Sequence, residues 1–143
     1  MRITDHRYDC EIDRFELAMR MIGHEARTGT IRACTGFTED RIRKIYGSYF
    51  KSEQHNTVKR RRGKSPMQIN SFLNSSRRQF ESSVLASFFV ICDVVQLDAN
   101  DMPIKTIGID RVNLGQRICD AYESYTQVHP KPQFSFELAW GLF

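Results

Sequence analysis

Apolar side chains recur at alternating spacings of three and four residues along most of this chain, and that rhythm constrains its fold more than any other feature. In a helix such residues fall on one face, whereas a strand would send them to opposite faces. Ile12, Phe15, Met19, Ile22 and Ala26 form one stripe, and Leu17 and Met21 beside it widen the apolar surface. Phe80, Val84, Phe88, Ile91 and Val95 form a second. Leu85, Phe89 and Val90 make that second helix apolar nearly all round, so it is expected to be the central core helix. Leu114, Ile118, Tyr122 and Tyr125 form a third, with Asn113 as its expected cap. A length of 143 residues suits one domain with its own core. The expected fold class is all-α, a single helical domain over 1–143.

Between the stripes the sequence is punctuated. Residues 1–9 read as a loose arm, and Thr28-Gly29 as a helix break. A short helix is expected over Thr30 to Cys34, then a turn at Thr35-Gly36-Phe37. Thr38 can cap a following helix whose first acids, Glu39 and Asp40, suit the positive end of its dipole. Ile42, Ile45, Tyr46 and Tyr49 are its apolar positions, and Gly47 and Ser48 weaken its end. Residues 51–66 read as an exposed loop, and Met67, Ile69, Phe72 and Leu73 as a short helix after Pro66. Residues 98–110 form a polar connection with a short strand at Ile104 to Ile107. His129-Pro130-Lys131-Pro132 stops the third long helix, and FSFELAW begins a last short one.

Charge is unevenly spread. Residues 41–64 hold nine Lys/Arg against one acid, Glu53, a net of +8, while the rest of the chain is net −4 with 12 basic and 16 acidic groups. Concentrated positive charge favours a polyanion, because neutralised phosphates release condensed counterions.

That basic segment overlaps a second pattern. Residues 28–47 fit a helix-turn-helix template with Gly36 at the turn: Ile31 lies five before it, Phe37 one after, Ile42 six after and Ile45 nine after. Four such side chains would pin two short helices so that the second can enter a major groove. Two positions depart from the template: Arg32 stands where a small residue is usual, and Thr35 where an apolar one is usual. The candidate DNA contacts are Thr38, Arg41, Arg43 and Lys44 on the second helix, and Lys59, Arg60, Arg61, Arg62 and Lys64 in the loop after it. Arginine can read guanine bidentately, and lysine and threonine hold phosphates. Glu39 or Asp40 could accept from a cytosine amine, with helix capping as the plainer role.

The segments LAMRMIGHEART and TGFTEDRIRKIYGSY, the basic loop, and CDAYESY with FSFELAW resemble the FlhC family of flagellar transcriptional activator subunits. They are also similar to the FlhC-type activators carried by conjugative elements. The resemblance spans roughly residues 14 to 140 and is strongest at Leu17-Ala18-Met19, Ala26-Arg27, Arg41 to Tyr46, Ala121-Tyr122 and Ala139-Trp140. It implies an all-α body, an FlhD-like partner in a hetero-oligomer, and promoter activation by DNA contact with recruitment of RNA polymerase. Family members also carry a C-terminal zinc module with four cysteines, and the chain stops where that module would begin, as a short relative or a truncated one would. Cys10, Cys34, Cys92 and Cys119 lack zinc-ligand spacing, so zinc is not carried over.

Other chemistry has little footing. The four cysteines read as free thiols of a reducing cytosol. His6, His24, His55 and His129 form no helical metal pair, no nucleophile elbow surrounds the serines, and no glycine-rich phosphate loop occurs. An enzyme and a bound cofactor are therefore not expected. The N-terminus lacks the apolar core of a signal peptide, and Val84 to Cys92 is too short to span a bilayer. Phe80, Phe88, Phe89 and Trp140 fall on stripes expected to be core, which argues against a stacking platform for single strands. Self-association is the alternative to an FlhD-like partner. The competing function is an interaction module that binds such a partner without specific DNA contact.

Overall fold

The computed structural model describes residues 3–50, 58, 73–106 and 108–142. Helices dominate the described residues, with one two-stranded sheet. The all-α class is therefore as expected. The chain divides into two compact units, Met1–Lys64 and Ser65–Phe143.

In the first unit, α1 (Ile3–Gly23), α2 (Thr28–Thr35) and α3 (Glu39–Tyr49) all pack on one another. The expected loose arm is instead the start of α1: once a helix is nucleated, each further residue adds a hydrogen bond at little cost. The buried face of α1 is also rotated from the expected stripe. Leu17, Ala18, Met21 and Ile22 are buried, while Ile12 is 53 % exposed.

The break between α1 and α2 comes at His24–Ala26, not at Thr28-Gly29, and Gly29 lies inside α2. It is a Schellman ending, in which Ala26 N–H donates to Met21 C=O and Glu25 N–H to Ile22 C=O. Glu25 takes the left-handed conformation at φ 58° that glycine usually supplies. The neighbouring glycine, Gly23, is the last residue of α1 and does not take that conformation, so it points to the break only loosely.

The second unit is built on α4 (Ser76–Ile91) packed against α5 (Arg111–Val128), with α6 (Phe136–Leu142) on α5. Here α4 is not the all-round core helix expected. Its buried positions are Glu81, Leu85 and Phe89, one every four residues, while Phe80 and Ile91 are 63 % and 73 % exposed. A helix packed mainly against one partner buries one face, however apolar the other. Phe88 and Trp140 are only half-buried, so the expected aromatic core holds fully for Phe89 alone.

A second Schellman ending closes α4, with Asp93 left-handed at φ 61° and Val94 N–H reaching Phe89 C=O. Val95, expected on the helix, therefore begins β1 (Val95–Leu97), antiparallel to β2 (Pro103–Lys105) with Gln96 opposite Ile104. Asp98 Oδ1 accepts from Asn100 and Met102 N–H and shapes the turn between them. Arg117 on α5 ties down the corner by donating to the carbonyl and carboxylate of Asp93, each at 3.0 Å. The cap of α5 is Asp110, which accepts from Asn113 N–H at 2.8 Å. The expected cap, Asn113, sits one turn later as the donor.

The least expected feature is a buried acid. Glu81 is fully enclosed, and its Oε1 accepts from Tyr125 Oη at 2.6 Å and from Gln133 N–H at 3.0 Å. Its Oε2 accepts from Arg77 Nε at 2.9 Å. Burial opposes its ionisation, but those three hydrogen bonds outweigh it and hold the carboxyl below its ordinary value of 4.5. Burial and the Glu81 oxygen together push the Tyr125 phenol up. Phe134 N–H donates to Tyr125 Oη, and Tyr122 Oη donates to Phe134 C=O. The turn that leads into α6 is thereby fastened to α4 and α5.

None of the four cysteines forms a disulfide, and Cys34 and Cys119 are buried. No helix among the described residues is long and apolar enough to cross a membrane.

Candidate nucleic-acid interface

The unit α2–turn–α3 is set by a few residues. Thr35 closes α2: its hydroxyl donates to Ile31 C=O at 2.7 Å and accepts from Phe37 N–H at 3.2 Å. A buried hydroxyl with both partners satisfied can replace the template's apolar residue without penalty. Gly36 follows at φ 74°, a conformation that would strain any residue with a Cβ. Thr38 then caps α3 by accepting from Arg41 N–H, the role expected for it. Ile31, Phe37, Ile42 and Ile45 are all buried, at 2 %, 5 %, 1 % and 6 % exposure. Arg32, the other departure from the template, is exposed, where its bulk meets no packing limit.

The outward surface of α3 carries Arg41, Arg43 and Lys44, as expected, but each is already paired. Arg43 donates to Asp40 Oδ1, and Lys44 Nζ lies 3.1 Å from Asp40 Oδ2. Arg41 donates to Glu11, which belongs to α1, and its guanidinium also sits 4.0 Å over the Phe37 ring. The side chains stay open to solvent, Lys44 at 75 % and Arg43 at 62 %. Lys44 first, then Arg43, holds the Asp40 carboxyl below its ordinary 3.8, so it is charged at neutral pH. The Asp40 pairs were open to sequence reasoning, since i,i+3 and i,i+4 neighbours share a helix face. Glu11 stands thirty residues away from Arg41 and gave no such signal.

Lys59, Arg60, Arg61, Arg62 and Lys64 lie outside the described residues. Of the expected loop, Val58 is described, and its carbonyl accepts from Tyr46 Oη of α3 at 3.0 Å. Among the described residues, no group of three or more His, Cys, Asp or Glu is placed to hold a metal ion. Comparisons with models of protein families, with curated proteins and with solved structures find no match for the chain.

Proposed function

We propose that this chain is a cytoplasmic DNA-binding transcriptional regulator of the FlhC type, using α2 and α3 as a helix-turn-helix. In this reading α3 enters the major groove, with Arg43 and Arg41 as base readers and Lys44 and Thr38 on the backbone. The basic segment Lys59 to Lys64 adds phosphate contacts that are blind to sequence. An FlhD-like protein or a second copy is the expected partner, and RNA polymerase the expected target of activation. No metal, cofactor or catalytic step is invoked. The observation that supports it best is the burial of Ile31, Phe37, Ile42 and Ile45 around a left-handed Gly36, at the spacing of a helix-turn-helix.

Two observations favour the competing reading, a partner-binding module without specific DNA contact. The three cations of α3 already hold acids, which lowers the charge offered to a polyanion. The uncharged, exposed positions Phe80, Val90 and Ile91 on α4 also suit a protein surface better than a phosphate.

A pair of titrations separates the two. The protein is offered a duplex selected by it from a random pool, and a scrambled duplex, at several salt concentrations. Arg43→Ala should lower affinity for the selected duplex by the roughly 1–3 kcal/mol of one bidentate base contact and spare the scrambled one. Replacing Arg60, Arg61 and Arg62 together by alanine should weaken both and flatten the salt slope by about 0.9 per lost contact. If no duplex is enriched and neither Arg41→Ala nor Arg43→Ala changes the specificity ratio, the partner-binding module replaces the regulator.

A further inference from the structure

We propose that Asp40 and Glu11 are internal competitors for phosphate, which lower the affinity of α3 for non-specific polyanions. This rests on the reading of α3 as a DNA-contacting helix and concerns two residues that reading leaves unused.

The geometry comes from two separate elements. Asp40 on α3 engages both carboxylate oxygens, one with Arg43 and the other with Lys44. Glu11 on α1 engages Arg41. Two helices thus place a carboxylate against the same short row of cations. Helix capping does not require Asp40, because Thr38 already takes that role. A carboxylate that spans two cations presents them with paired anionic oxygens, as a backbone phosphate does.

These pairs are exposed, and exposed pairs are individually weak, so a ligand can displace them. Displacement still leaves a carboxylate facing the phosphates that replaced it. A cation that already holds an acid also releases fewer counterions when it meets DNA. Both effects fall on every duplex alike. The acids therefore weaken sequence-blind binding to any duplex.

The test uses the full chain and a mixed-sequence duplex, followed by fluorescence anisotropy at several salt concentrations. Asp40→Asn should bind this duplex roughly three- to tenfold more tightly at low salt, with a salt slope steeper by up to about 1.8 for the two cations it releases. Glu11→Gln should steepen the slope by up to about 0.9. Asp101→Asn, in the hairpin turn of the other unit, removes the same charge and should change neither quantity. Far-UV circular dichroism confirms that each variant keeps its helix content. If the parent binds and the two α3-facing variants match it, the competitor role is wrong while the DNA reading stands. Tighter binding by Asp101→Asn to the same degree also overturns it, since net charge alone would then account for the effect. Weaker binding by a folded Asp40→Asn would make Asp40 a contact rather than a competitor. Failure of the parent and all variants to bind any duplex removes the DNA reading and this inference with it.

Discussion

Removing the Glu81 carboxylate should cost the second unit about 3–5 kcal/mol, and removing only its charge should cost about 1 kcal/mol. The difference follows from which oxygen does what. Oε1 serves both the buried Tyr125 Oη and the part-buried Gln133 N–H, whereas Oε2 serves Arg77, whose side chain is 58 % exposed. Glu81→Ala strands the first two, at about 1–3 kcal/mol each, and leaves a small void. Glu81→Gln can keep its amide oxygen in the Oε1 position. Its NH2 then faces Arg77, which can swing into solvent. Urea unfolding followed by far-UV circular dichroism gives both values from the midpoint and slope. Tyr125→Phe in both backgrounds closes a double-mutant cycle and isolates the shortest hydrogen bond. If alanine and glutamine cost the same within 0.5 kcal/mol, or alanine costs under about 1 kcal/mol, the buried clasp contributes little and the reasoning fails.

Three further outcomes are expected. Gly36→Ala should destabilise by about 1–2 kcal/mol through its backbone alone, since an added Cβ would meet nothing within 4 Å; a change under 0.3 kcal/mol in thermal or urea unfolding would contradict this. Asp101→Gly should stabilise by about 0.5–1 kcal/mol by relieving a left-handed non-glycine in the turn between β1 and β2, and a loss of stability in the same assay would refute it. Because the folded pKa of Glu81 is depressed, its contribution is present above the ordinary 4.5 and is lost as pH falls through the lower folded value. Unfolding curves from pH 6 downward should therefore show the parent losing stability in acid faster than Glu81→Gln, and parallel losses would count against it.

The sequence was most legible where a spacing had one structural solution. Ile31, Phe37, Ile42 and Ile45 are held to Gly36 by helix geometry, and all four are buried as that geometry requires. Thr38 was legible because a hydroxyl before two acids has few better uses than capping. Legibility failed where the chemistry departs from the residue that normally signals it. Glu25 and Asp93 end helices in a conformation usually given to glycine, so the residue pattern puts the break after α1 too late and Val95 on a helix. Phe80 and Ile91 failed for another reason: an apolar side chain shows that burial is favourable, not that a partner exists to provide it. Glu81 left a trace, since it precedes Leu85 and Phe89 by four and eight residues and so shares their buried face. Its partner Tyr125, 44 residues on, could not be found by local spacing. On α3 the exposure of Arg41, Arg43 and Lys44 is legible, but Glu11, which holds Arg41 from another helix, is not.

Only Ile42 and Ile45 of the eleven residues in α3 are buried. Two anchors about one turn apart fix how the helix sits; Arg41 and Tyr49 reach Glu11 and Phe15 of α1, while positions 39, 40, 43, 44, 47 and 48 are exposed. Surface substitutions away from caps and packing usually stay within about 0.5 kcal/mol. Residues 39, 40, 43, 44, 47 and 48 can therefore be exchanged in combination while the unit keeps its stability. The helix is in effect a removable label on a fixed mount: on the proposed reading, what it recognises can be rewritten without re-solving how the protein folds.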